Sequence, residues 1–126
     1  MASYLLDSDV IIEYFRNKAQ TVELVDSLGP KIKLWISVLS LIEVKSGAME
    51  SVESKIDRFF NFAKIIPINL EIADMAAWYM KRWKTKGITL YLVDATIAAT
   101  CIVHDLTLVT YNKRDYPMKE LEVISS

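Results

Sequence analysis

Four acidic residues far apart in this chain, Asp7, Glu43, Asp94 and Asp115, each stand beside a segment that reads as a strand or a helix. The first lies in YLLDSDVII, residues 4–12, an apolar run broken by Asp7 and Asp9. Burying an unpaired carboxylate is costly, so such a run carries two acids only where something holds them. If the four acids meet, two like charges 4 Å apart repel by about 4 kcal/mol at an effective dielectric near 20. Converging carboxylates then need protons, cationic side chains or a bound cation. No Lys or Arg lies within two residues of Asp7 or Asp94. A hard, oxygen-seeking divalent ion, magnesium or manganese, is the favoured counter-charge.

Each acid also has an ordinary structural use. Asp7 can be a turn residue or N-cap. Glu43 completes a Ser40-Leu-Ile-Glu43 capping box. Asp94 can cap the helix it opens, although it also continues the buried side marked by Ile97 and Ala98. Asp115, in NKRDYP, can be a turn acid. A helix-opening role accounts for Asp9 as well as a site role does. The chemical reading rests on all four acids falling at one rim.

The elements that must position them follow from hydrophobic periodicity. Residues 2–6, LWIS (34–37), KIIPI (64–68), LTLVT (106–110) and LEVIS (121–125) read as five short strands, and the Pro in the third predicts an edge position. Helices are expected at about 9–16, 19–28 (stopped by Gly29-Pro30), from Ser40 to Gly47, 51–63, 70–84 and 93–104. Val52, Ile56, Phe59, Phe60 and Ala63 line one side of the fourth helix; Ile72, Met75, Ala76, Tyr79, Met80 and Trp83 line the fifth. Short apolar strands alternating with helices predict an α/β fold with a mainly parallel sheet covered on both faces. Ligands bind such sheets beyond the carboxyl ends of the strands, where Asp7, Glu43 and Asp115 fall and where Asp94 can join them.

Length and composition agree. The 126 residues predict one domain, 1–126, and 52% apolar with 25% charged residues is ordinary for a globular chain. The lone Cys101, in an apolar stretch, reads as a buried thiol. No apolar run reaches spanning length, and Asp7 and Asp9 fall where a signal sequence would be apolar, so a cytoplasmic protein with no membrane partner is expected. A net charge of −1 argues against electrostatic coating of nucleic acid, but not against an enzyme that meets it through one patch and a metal.

Three blocks in order resemble the PIN domain family, and within it the VapC-like toxins of prokaryotic toxin–antitoxin pairs. They are LLDSDVII, ISVLSLIEVKSGA (36–48) and GITLYLVDATIAATCIVHDLTLVTYNKRDY (87–116). The resemblance places the family's four acids on Asp7, Glu43, Asp94 and Asp115, and polar site-lining positions on Thr110 and Asn112. Two positions depart from the family pattern: Asp9 where Asn is common, and Tyr111 where Arg is common. The resemblance implies a PIN-like three-layer fold and a magnesium- or manganese-dependent endoribonuclease. It also implies a homodimer that acts on RNA and is inhibited by an antitoxin bound at or near the active site.

Chemistry argues for hydrolysis too. A cation held by Asp7 and Asp94 would acidify water and neutralise charge in the transition state, with Glu43 or Asp115 orienting that water or holding a second ion. Products with 5′-phosphate and 3′-hydroxyl ends follow. Attack by the RNA 2′-hydroxyl would want His or Lys acid–base groups, and the sole His, His104, suits the end of a helix dipole. KRWKTK (81–86) supplies Lys81, Arg82, Lys84 and Lys86 as candidates for the RNA backbone, with Trp83 for stacking; Arg16 and Lys18 are comparable. Two rivals stand beside this reading: a PIN-fold RNA-binding module without turnover, and a D-x-D phosphatase built on Asp7 and Asp9.

Overall fold

In a computed structural model of the chain, residues 3–30, 34–47 and 53–125 are described. Strand β1 (Tyr4–Leu6) leads into helices α1 (Ser8–Phe15) and α2 (Ala19–Ser27). Strand β2 (Leu34–Ser37) precedes α3 (Val38–Gly47) and α4 (Glu53–Phe62), and β3 (Lys64–Ile66) precedes α5 (Leu70–Lys84) and α6 (Leu92–His104). Strand β4 (Thr107–Val109), a 3₁₀ turn (Lys113–Asp115) and β5 (Val123–Ile124) close the order. The sheet runs β3-β2-β1-β4-β5 with every pair parallel. Strand β3 is at an edge as expected, although Pro67 lies just past its end rather than within it.

Alternation along the central strands builds the layers. Leu5 and Leu108 pack with Ile72, Ala76, Tyr79 and Ile97 of α5 and α6. Their neighbours Leu6 and Val109 pack on the other face with Val10, Ile11, Val44 and Phe59 of α1, α3 and α4. Successive residues of a strand point to opposite faces, so each short strand serves two cores. Each fully buried Leu, Ile or Val contributes roughly 1.5–3 kcal/mol. The resulting architecture is α/β, with helices on both faces of a parallel sheet.

The strands are shorter than the apolar runs, because flanking residues leave the ladder to start helices and turns. Ala2, at the start of the first run, and Val52, on the predicted side of α4, lie outside the described residues. The larger correction is at α3. This helix begins at Val38, and the Ser37 hydroxyl accepts from Leu39 N at 3.2 Å, so Ser37 takes the capping role expected of Ser40. Ser40 is buried inside the helix and Glu43 is released from the capping box. Asp115 falls on a 3₁₀ turn, in keeping with the turn reading of NKRDYP. No helix of the described residues is long and apolar enough to cross a membrane.

Candidate functional site

The sheet order reverses between β1 and β4, the chain passing from β1 to β2 and β3 on one side and returning to β4 and β5 on the other. A crevice beyond the strand ends forms at such a point. Leu6 pairs with Val109, and Asp7 N donates to Val109 O at 2.9 Å, so the ladder delivers Asp7 alongside Thr110. Asp7 is also the N-cap of α1: its Oδ1 accepts from Ser8 N at 2.8 Å. Its Oδ2 accepts from Thr110 Oγ1 at 2.9 Å and from the Tyr116 hydroxyl at 2.7 Å. Three donors thus fix a half-buried carboxylate in one orientation.

Glu43 approaches from α3. Ser8 Oγ donates to Glu43 Oε1 at 3.0 Å and is bonded to the buried Ser40 Oγ, also at 3.0 Å. The freed side chain therefore meets the first turn of α1 beside Asp7.

Asp94 is the third residue of α6, with Tyr91 at the N-cap, so it does not cap that helix. Residues 95–101 of α6, directly after Asp94, are all buried, while Leu92 and Val93 before it are exposed. Asp94 Oδ1 lies 3.5 Å from the Tyr116 hydroxyl, the group that bonds Asp7. Burial first, then the charges of Asp115, Asp7 and Glu43, push its carboxyl up to about 6. Those three neighbours are the other predicted acids, so the four share one neighbourhood. Asp115 is exposed on the 3₁₀ turn, and the next residue, Tyr116, points inward. Burial and the Asp7 charge push the Tyr116 phenol upward, so it remains a proton donor.

Asp9 faces a different task. Its Oδ2 accepts from Tyr111 N at 3.0 Å and Asn112 Nδ2 at 2.8 Å, with Thr110 Oγ1 more distant at 3.4 Å; its Oδ1 accepts from Val10 N at 2.7 Å. Burial and the Asp7 charge push its carboxyl up. Asp9 staples the β4 exit loop to the start of α1, and Asn112 and Thr110 are parts of that staple. Asn112 N in turn donates to Thr110 Oγ1 at 3.0 Å.

The basic candidates divide. Arg16 and Lys18 both pair with Glu13, at 3.0 and 2.9 Å, rather than with the acid cluster. Lys81, Arg82 and Lys84 lie in the last turn of α5, which suits its dipole. Only residues 85–91 separate α5 from α6, so this basic end sits toward the end of α6 that carries Asp94. Lys86 lies over the Trp83 ring at 4.5 Å and Arg82 over the exposed Trp78 ring at 5.0 Å. Trp83 itself is half-buried and packs against the α5–α6 core. His104 ends α6, about 15 Å along the helix from Asp94, and stands beside Trp35. Cys101 is buried as expected. A cleft of about 810 Å³ opens between α1, α2 and the β4 exit loop; Asp9, Thr21, Tyr111 and Asn112 are in its wall, and none of Asp7, Glu43, Asp94 or Asp115 lines it.

The donor set suits a hard divalent cation. All the oxygens are carboxylate, and the described ion pairs bring no Lys or Arg to Asp7, Glu43, Asp94 or Asp115. Among the described residues no three His, Cys, Asp or Glu side chains are arranged to ligate one ion. Asp7 and Asp94 are instead linked as a pair through the Tyr116 hydroxyl. Two carboxylates completed by water and substrate phosphate is the habit of magnesium rather than of a full protein cage. Three residues of this network, Ser8, Ser40 and Tyr116, went unread in the sequence. Ser40 was masked by the capping-box pattern, and a Tyr following an Asp carries no periodic signal.

Comparison with known proteins shows the family. The family described as "PIN domain" matches residues 4–122. Ribonuclease VapC10 of Mycobacterium tuberculosis is 32% identical over 116 residues, covering 92% of this chain and 87% of that protein. A toxin–antitoxin complex from Klebsiella pneumoniae contains a chain similar at TM-score 0.81 and 27% identity, covering 98% of this chain and 97% of that one. DNA-bound VapBC from Salmonella typhimurium matches at TM-score 0.84 and 20% identity over 99% of this chain and 98% of that one, a likeness of fold.

Proposed function

Because the chain belongs to the PIN domain family, we propose that it is a magnesium- or manganese-dependent endoribonuclease, the toxin of a VapBC-type pair. Its partners are then RNA, a cognate antitoxin and a second copy of itself, in the cytoplasm. The observation that carries this reading is the meeting of Asp7 and Asp94 at one hydroxyl, with the charges of Asp115 and Glu43 around them and, among the described residues, no ion pair from Lys or Arg to any of the four. A bound divalent cation supplies charge neutralisation at the scissile phosphate and makes water a better nucleophile at neutral pH.

The chain's own groups do the rest. Asp7, oriented by Ser8 N, Thr110 and Tyr116, and Asp94, in the first turn of α6, are the ligands. Glu43 or Asp115 orients water by accepting its proton, and the Ser8 hydroxyl holds Glu43 toward the cluster. Asp9 holds the β4 exit loop, and with it Thr110 and Asn112, against the site. Lys81, Arg82 and Lys84 meet the phosphate backbone at the α5–α6 end.

The test is cleavage of mixed cellular RNA by the purified chain. Magnesium or manganese should support it, EDTA should stop it, and Asp7→Asn should abolish it. The product ends should be 5′-phosphate and 3′-hydroxyl. Ends bearing 2′,3′-cyclic phosphate, or RNA binding without any turnover, would overturn the proposal.

A further inference from the structure

Tyr116 has one hydroxyl proton and two carboxylates within reach. The contact to Asp7 Oδ2, at 2.7 Å, is in the range of a strong charge-assisted bond, whereas the one to Asp94 Oδ1, at 3.5 Å, is at the limit of hydrogen bonding. The proton therefore belongs to Asp7. The ring cannot follow the hydroxyl about, because it is buried in the α5–α6 core with Met118 and Leu121. Its backbone is held as well: Tyr116 N donates to Lys113 O at 3.0 Å and closes the 3₁₀ turn.

The consequence is read from donor counts. An ionised carboxylate offers about four lone-pair positions. On Asp7, Oδ2 is filled by two hydroxyls, Thr110 and Tyr116, and Oδ1 receives one donor, Ser8 N. Among the described residues, the position left open is on Oδ1. Asp94 receives, among the described residues, no donor shorter than the 3.5 Å contact and stays available. Partners behind a ligand that fix its orientation characteristically alter metal affinity or activity about 10–100-fold when removed.

We infer that Tyr116 is a positioning residue for the cation site: its hydroxyl locks Asp7 Oδ2, directs Oδ1 to the ion and sets Asp7 opposite Asp94. The inference rests on the metal-nuclease reading and is separable from it by experiment. Manganese affinity is measured by the loss of the free-ion electron paramagnetic resonance signal for the wild type, Tyr116→Phe and Tyr79→Phe. Tyr79 is a comparable buried tyrosine whose hydroxyl donates to Glu120 at 2.8 Å, away from the cluster. Tyr116→Phe keeps the ring in place. It is expected to weaken manganese binding about 10-fold or more, to shift the magnesium dependence of cleavage by a similar factor, and to unfold within a few degrees of the wild type. Tyr79→Phe is expected to bind manganese within two-fold of the wild type. Unchanged affinity in Tyr116→Phe overturns the inference while leaving the nuclease reading intact. Failure of that variant to fold also overturns it, since the hydroxyl would then serve the fold and not the site. A wild type that neither binds manganese nor cleaves RNA removes the nuclease reading and this inference together.

Discussion

Replacing Asp94 by Asn should stabilise the cation-free protein while destroying its activity. The Asp94 carboxyl is raised from 3.8 to about 6 by burial and by the charges of Asp115, Asp7 and Glu43. Folding therefore opposes its ionisation. A shift of about two units corresponds to about 3 kcal/mol, and because the group is still partly open to solvent, screening brings this to about 1–2 kcal/mol. The sign follows from proton uptake. A carboxyl whose folded value is raised contributes its full stability below the unfolded value of 3.8 and loses it as pH rises through about 6. Asn mimics the neutral form at every pH. In EDTA at pH 7.5, Asp94→Asn should thus gain about 1–2 kcal/mol over the wild type in urea unfolding, or roughly 4–8 °C in midpoint. At pH 4.5 the gain should fall to roughly a third of that. Adding magnesium should raise the wild-type midpoint and leave the variant's unmoved, and the variant should not cleave RNA. A variant less stable than the wild type at pH 7.5, or a gain equal at both pH values, would refute the idea that Asp94 is held under like-charge strain.

Two further outcomes follow from particular contacts. Asp9→Ala leaves Tyr111 N and Asn112 Nδ2 without their acceptor and should cost about 1–3 kcal/mol in denaturant unfolding, whereas Asp9→Asn keeps one carbonyl oxygen and should cost less; a loss of manganese affinity in Asp9→Asn as large as that in Asp7→Asn would make Asp9 a ligand instead. Lys81→Ala with Lys84→Ala should raise KM for RNA severalfold with kcat nearly unchanged and flatten the salt dependence of cleavage, and an unaltered salt slope in single-turnover assays would exclude the α5 terminus from the RNA path.

Much of this architecture was legible in the chain because it depends on local signals. Period-two apolar runs and period-three-to-four helices are properties of neighbouring residues, and together with Pro67 they predict the strand order's edge and the parallel, two-faced sheet. The four acids could be picked out because carboxylates in apolar segments are expensive. What each polar side chain touches was not legible. Ser40 satisfies a capping-box pattern, yet the helix starts two residues earlier and turns that serine inward to Ser8. Asp7 and Asp9 look equivalent in DSD, and each Oδ1 accepts from the next residue's N–H, but Oδ2 of the first is taken by Thr110 and Tyr116 and Oδ2 of the second by the β4 exit loop. That distinction arises between residues about a hundred positions apart, and only packing sets which donor reaches which oxygen. Residue types thus decided that negative charge would gather at the sheet's carboxyl rim, because the period of the strands and helices carries it there. The tertiary structure alone decided which donor reaches each of those charges, because hydrogen-bond geometry depends on distances that no local pattern encodes.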